Sequence, residues 1–251
     1  FISLIAIGYE HASAQYLGYF IDGTWRKVQF DRSIQEREAK YIDGQLWRTP
    51  VSMSGAGVRT GILLDASLGP MRHLSIVWCP AVMYTQFSGR FNFSSGTPPF
   101  ATDLLYPLNG SWYSDNGTRQ IDVFSVESLL ALKVRVAHGL VIRLGVSAYL
   151  PLYAIQRTQW SRSIKDDSGQ EYVNQLDETV SGGPDKFSSE NGSFFAPEGF
   201  VDMGYEFKNG FGLFIRGSRS PEMSRDLHYN TRPSSKSNWR TYSMGLGICF
   251  R

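Results

Sequence analysis

Stretches of two-residue alternation recur eight times along this chain, and the connections between them are by turns long and short. Alternating apolar and polar side chains mark strands that keep one face in an apolar medium. The pattern predicts strands over 17–29, 57–68, 73–89, 121–137, 140–156, 199–208, 211–219 and 239–251. Long polar segments lie at 30–56, 90–120, 157–198 and 220–238, and short ones at Gly69-Pro70-Met71-Arg72, His138-Gly139 and Asn209-Gly210. Asn209-Gly210 is the two-residue type I′ hairpin signal, in which both central residues take positive φ, and His138-Gly139 is a weaker instance of it. Four long connections, three tight turns and both chain ends on the tight-turn side describe an all-β, up-and-down antiparallel barrel of about eight strands.

The faces agree from strand to strand. In the last strand Tyr242, Met244, Leu246, Ile248 and Phe250 oppose Thr241, Ser243, Gly245, Gly247 and Cys249. In 140–156, Ile142, Leu144, Val146, Ala148, Leu150 and Leu152 oppose Arg143, Gly145, Ser147, Tyr149 and Tyr153. Val58, Thr60, Ile62, Leu64 and Leu68 oppose Arg59, Gly61, Asp65 and Ser67; Val126, Leu130, Leu132, Val134 and Val136 oppose Glu127, Lys133 and Arg135. In the pair 199–208 and 211–219, Val201, Met203, Tyr205, Phe207, Leu213 and Ile215 oppose Asp202, Glu206 and Arg216. Pro80 and Pro151 interrupt strands of a barrel that has no free edge, so each predicts a bulge or an unpaired extension.

A soluble ligand-binding barrel would turn the apolar face inward, and a membrane barrel turns it out. The membrane orientation is favoured by aromatics at the ends of the apolar faces, with Trp25, Tyr84 and Tyr242 at one level and Phe207, Phe211 and Phe250 at the other. The glycine-rich polar face suits a narrow interior, and the eight steps from Tyr242 to Phe250 cover about 20 Å when tilted, close to the apolar band of such barrels. On this reading the long segments lie outside the cell and the short turns in the periplasm. The run Phe1 to Gly8 with Ala12-Ser13-Ala14 before Gln15 reads as the remnant of a signal peptide, or else as an extra N-terminal strand, leaving one barrel domain over 16–251. The net charge of +2 and scattered basic residues speak against nucleic acid as a partner.

The terminal stretch Tyr242-Ser-Met-Gly-Leu-Gly-Ile-Cys-Phe250 resembles the aromatic-ended last strand by which barrel-assembly machinery recognises outer-membrane proteins, with Arg251 as a departure. From 16 to 251 the layout is similar to the small eight-stranded outer-membrane barrels: the OmpA membrane domain, OmpX and the PorT-like barrels of Bacteroidota. The resemblance implies residence in the bacterial outer membrane, contact with its lipid and assembly by that machinery. It carries no catalytic signature, so a role has to be read from the residues.

The polar face offers Asp22, Arg26, Arg59, Asp65, Glu127, Lys133, Arg135, Arg143, Asp202, Glu206 and Arg216. Eight strands enclose only enough room for their own side chains, so these nearly balanced charges are expected to fill the lumen as ion pairs, with a conducting path as the alternative. Their role would then be structural or interactive, with a protein partner or surface ligand met through the loops or the periplasmic turns. A small passive channel or transporter is the second expectation, and a lipid- or peptide-modifying enzyme a distant third. No catalytic, cofactor or metal site is expected. Of the four histidines, His11 precedes the barrel, His73 and His138 sit at the turns, and only His228, near Ser224 and Asp226, falls in an outer loop. Asp166, Asp167 and Glu171 read as a solvated acidic loop without calcium-loop spacing. The Asn-x-Ser/Thr triplets at Asn92, Asn109, Asn116 and Asn191 read as turns. Cys79 and Cys249, three strands apart around the ring, are expected to be free thiols.

Overall fold

The computed structural model describes residues 15–30, 52–68, 73–95, 112–165, 170–182, 197–221, 223–227 and 235–250. They form ten antiparallel strands: β1 (Gln15–Phe30), β2 (Ser52–Ser67), β3 (Leu74–Ser95), β4 (Trp112–Ala137), β5 (Leu140–Lys165), β6 (Glu171–Gly182), β7 (Pro197–Glu206), β8 (Phe211–Arg219), β9 (Met223–Leu227) and β10 (Ser235–Phe250). Eight of them close a ring in the order β1–β2–β3–β4–β5–β7–β8–β10, and β10 pairs back onto β1 from Tyr19↔Phe250 to Phe30↔Trp239. β6 continues the wall above β7 on the same side of β5, and β9 continues it above β8 along β10. The residues expected to be a leader lie outside the described residues, apart from Gln15 at the head of β1.

The apolar faces point outward. Leu246 (65% exposed), Met244 (62%) and Ile215 (59%) stand free, while Asp22, Arg59, Lys133 and Asp202 on the opposite faces are buried. An exposed belt of this size has to be covered, and lipid covers it in a closed barrel. The chain is a transmembrane β-barrel.

Three expectations change. The long connections are much shorter than the sequence suggests, because β3, β4, β5, β6, β9 and β10 run far into 90–120, 157–198 and 220–238. In these upper parts the polarity of the two faces inverts. Below Trp25, Tyr84 and Phe124, apolar side chains face out and charges face in. Above them Val28, Phe87, Phe91, Ile121, Val123 and Trp160 are buried inside. There Gln86, Ser88, Arg90, Asn116, Thr118 and Gln159 face out. Large apolar side chains inside and polar ones outside on β3 and β4 are the arrangement water demands, so the inversion marks the membrane surface, although Asp115, Arg119, Gln156 and Thr158 are buried above it too. From Phe124 up to Trp112 the wall rises about 30 Å beyond it, at roughly 3.3 Å per residue and a 40° tilt. Asn92 and Asn116 are therefore not turn residues; they face each other across β3 and β4.

The prolines behave differently from one another. At Pro151 the β4–β5 register shifts, with Phe124 opposite Tyr153 and Ser125 opposite Pro151, so Leu152 is the extra residue of a bulge. The bulge resets the phase, and Tyr153 faces outward (42% exposed), not inward with Tyr149. At Pro80 there is no bulge. The β2–β3 ladder skips two pairs between Gly61↔Ala81 and Leu64↔Trp78 and resumes in register. The turns also exchange roles. His138 (φ 48°) and Gly139 (φ 93°) form the tight I′ connection, and at the other turn only Gly210 (φ 84°) is left-handed. There the Gly210 N–H donates to the Phe207 carbonyl at 3.1 Å, and the Phe211 N–H donates to Oδ1 of Asn209 at 3.1 Å. This is a three-residue hairpin loop closed by a glycine in the left-handed region.

The two faces of β10 give a direct test. Leu246→Arg, at mid-band on the lipid side, is expected to impair membrane assembly, since an arginine there costs about 2–4 kcal/mol. Gly245→Ser is expected to assemble normally, because a Cβ at Gly245 meets nothing nearer than 3.4 Å. Heat-modifiable mobility of the folded barrel reads both, and equal tolerance would mean that the faces are reversed.

Candidate functional site

The lumen is the candidate site. The structure places all eleven charged residues expected there inside the ring. A twelfth, Glu198 at the upper end of β7, joins them. Together they make six cations, Arg26, Arg59, Lys133, Arg135, Arg143 and Arg216, against six acids, Asp22, Asp65, Glu127, Glu198, Asp202 and Glu206.

Strand register brings them together. Asp22 pairs across β1–β2 with Arg59, whose Nε and Nη2 donate to the carboxylate at 3.1 and 2.6 Å, while its Nη1 reaches Glu127 at 2.8 Å. Arg26 bridges Glu127 at 3.8 Å and Glu198 at 3.6 Å, and its guanidinium lies over the Tyr149 ring at 4.7 Å. Glu198 also accepts from the Thr241 hydroxyl at 2.8 Å and the Ser218 hydroxyl at 2.5 Å. This chain of contacts has one acid more than it has cations.

The second chain has the converse imbalance. One register row runs Lys133, Arg143, Asp202, Arg216 across β4, β5, β7 and β8. Arg216 holds Asp202 in a two-pronged grip, both prongs at 2.5 Å. Arg143 lies between Asp202 and Glu206, 3.6 Å from each. Lys133, fully buried, donates to Asp65 at 2.8 Å and Glu206 at 2.5 Å, and Arg135 reaches Glu206 at 3.5 Å. The guanidinium planes rest on lumen aromatics: Arg216 over Phe200 at 4.5 Å and Arg143 over Phe214 at 5.4 Å.

Apolar side chains fill what the charges leave. Phe20, Leu63, Val77, Leu129, Phe200 and Phe214 pack between the ion pairs together with Cys79 and Cys249, both of them free thiols. Above, Val28, Met53, Met83, Phe87, Ile121, Val123, Tyr149 and Ala154 form a second plug. At the tight-turn end lies a recess of about 500 Å³, lined by Tyr16, Arg135, Glu206, Phe207 and Lys208.

Outside, Phe207, Phe211 and Phe250 cluster at one margin with ring centroids 5.6 and 5.4 Å apart. Trp25, Tyr84 and Tyr242 stand at the other margin, where Phe124 joins Tyr84 at 4.9 Å. Polar groups that the sequence did not single out lie higher. Asp115 pairs with Arg162 inside the extension at 2.9 Å. Asp122, on the outer face, accepts from Tyr84, Gln86 and Arg157 at 3.1, 2.9 and 2.5 Å. Glu198 was hidden because the alternation is readable only from 199 onward, and Asp122 because it shares a face with lipid-facing residues. Among the described residues no group of His, Cys, Asp and Glu could hold a metal ion. His73 and His138 lie at the tight-turn end; His11 and His228 are outside the described residues.

No family model matches the sequence, and no curated protein does. Solved structures with a similar course are distant. Neisserial surface protein A is 11% identical, with a TM-score of 0.38 over 95% of this chain and 99% of its own. Ail, the attachment invasion locus protein of Yersinia pestis, is 8% identical, with a TM-score of 0.33 over 96% and 99%. The TodX monoaromatic hydrocarbon channel deltaS2 mutant is 7% identical at 0.27 over 96% and 90%. These likenesses bear on the course of the chain alone; the lipid-facing belt makes it a β-barrel that crosses a membrane.

Arg143→Ala leaves the lumen one cation short in a place where every charge is answered. Removing one partner of a buried pair typically costs about 3–5 kcal/mol. The thermal midpoint of the detergent-folded barrel is expected to fall, and Glu206→Gln in the same chain to restore part of the loss. A stability unchanged by either substitution would show that water, and not ion pairing, surrounds these groups.

Proposed function

We propose that this protein is a non-conducting outer-membrane barrel that works through its surface, presenting the wall above the membrane to a partner outside the cell. The observation that carries the reading is the filling of the lumen: two ion-pair chains with aromatic and aliphatic side chains packed between them, and an apolar plug above. A conducting pore needs a continuous wet path, and eight strands leave little width for one. The structure instead commits its length to the extension, where β6 exposes Tyr172, Val173 and Leu176. With two of its four histidines at the periplasmic turns, the chain is read as a binding or scaffolding protein and not an enzyme. Its last strand fits delivery by the barrel-assembly machinery.

A narrow passive channel is the second reading. What favours it is a set of buried donors without a protein partner, Nε of Arg26, Nε of Arg143 and Nη1 of Arg216, which water threading the lumen would satisfy.

Planar-bilayer recording separates the two. The purified barrel is expected to give no steady current steps, and regular steps whose ion selectivity changes in Arg143→Ala would replace the first reading with the second. A cysteine at Val173 is expected to react with an impermeant maleimide on intact cells while one at Lys208 does not; the reverse pattern would invert the orientation.

A further inference from the structure

The outward face carries no charge through the whole apolar belt, and the first charges appear at the margin where polarity inverts. Around that margin the wall is uneven. On the β4–β5 side the cation Arg157 is answered by Asp122 at 2.5 Å. On the opposite side, Lys27, Tyr242 and Arg219 stand in one register row across β1, β10 and β8, all facing out. The Arg219 guanidinium lies over the Tyr242 ring at 5.5 Å, and neither cation has an acidic partner among the described residues. Lys27 and Arg219 are two strand spacings apart, roughly 10 Å at the backbone, a span that two long side chains can bridge to one anion.

A second observation lies directly beneath. Gly217 sits two residues below Arg219 on β8, and Gly199 pairs with Arg219 from β7. Both face outward, and a Cβ built on either meets nothing within 4 Å. The wall is therefore notched beside and below Arg219, between the exposed side chains of Met244, Val201 and Ile215. Two outward cations flanking an aromatic ring, without an acidic partner among the described residues and with an apolar notch beside Arg219 that faces hydrocarbon, match an amphiphile with an anionic head and an acyl tail.

We propose that Lys27, Tyr242 and Arg219 bind the phosphate of a phosphorylated lipid of the outer leaflet, one of whose acyl chains lies in the notch over Gly217 and Gly199. Phosphate accepts charge-assisted hydrogen bonds from both cations at once, and headgroups bring phosphate to the depth at which the two stand. The inference rests on the lipid-facing belt and on the proposed orientation of the wall, and stands whether or not the lumen conducts.

The test is native mass spectrometry of the delipidated, detergent-folded barrel with three probes: phosphorylated lipid A, the same lipid stripped of phosphate, and inorganic phosphate. The wild-type barrel is expected to retain one phosphorylated lipid and to bind the stripped lipid far more weakly. Lys27→Gln with Arg219→Gln is expected to weaken retention about thirtyfold, at roughly one cation's worth of headgroup attraction each. Gly217→Leu fills the notch from a Cβ that meets nothing within 4 Å and leaves both cations in place, and is expected to weaken lipid retention with folding intact. Arg157→Gln is expected to change nothing. Equal binding of phosphorylated and stripped lipid would overturn the proposal, as would undiminished retention in the folded double variant or in Gly217→Leu. Inorganic phosphate that binds as tightly as the lipid would also overturn it, by making this a site for the free ion.

Discussion

The ladder between β1 and β10 is the contact on which everything else depends. A strand in hydrocarbon has no water to satisfy its N–H and C=O groups, so a sheet can cross a bilayer only if its two edge strands pair with each other. Twelve consecutive residue pairs, from Tyr19↔Phe250 to Phe30↔Trp239, remove both edges. Because the partners are the first and last strands of the ring, no part of the barrel is closed until the chain is complete. The aromatic end of β10 takes part directly, since Phe250 packs on Phe211 and pairs with Tyr19.

Closure at eight strands fixes the width of the interior, and the width dictates its chemistry. A bore this narrow is filled by side chains, so any charge inside is desolvated and has to be answered by another. The two chains of ion pairs are each off balance by one charge, in opposite senses, and the lumen is neutral only when both are counted together. Glu198 is the residue that closes the account, through Arg26, Thr241 and Ser218. The Arg143–Phe214 and Arg216–Phe200 stacks let apolar and ionic layers share the same space, because a guanidinium plane is weakly hydrated on its faces.

The eight ring strands, their faces and the eleven lumen charges were legible in the sequence because lipid imposes a strict alternation on each crossing. The upper wall was not legible, for the same reason turned round. Above the margin the outward face becomes polar, so Arg90, Asn116 and Thr118 read as loop, although the two-residue period continues there with Phe91 turned inward. Tyr153 was misplaced because a single bulged residue, Leu152, shifts the phase and leaves no compositional trace beyond Pro151. The turns show the limit of dipeptide signals. Asn-Gly formed a three-residue loop, and His-Gly took the I′ geometry, because register on both sides, and not intrinsic preference, sets how many residues a hairpin spends.

The position of Pro151 follows from the same boundary. On one side β5 pairs with β7 up to Ala148 and with β6 from Ala154, and the described residues supply no partner there between the two. The bulge on the β4 side falls in the same stretch, so the ladder is at its weakest around Pro151. Proline lacks an N–H to donate, and deep in the belt that loss would leave a partner carbonyl unanswered in lipid. At the level of Phe124 and Tyr153, where the faces invert and headgroups and water begin, the unanswered group can be hydrated. The weakest ladder, the bulge, the phase change and the departure of the chain between β6 and β7 therefore coincide at one height. That height is the surface of the membrane, which is where a barrel can give up backbone pairing at least cost.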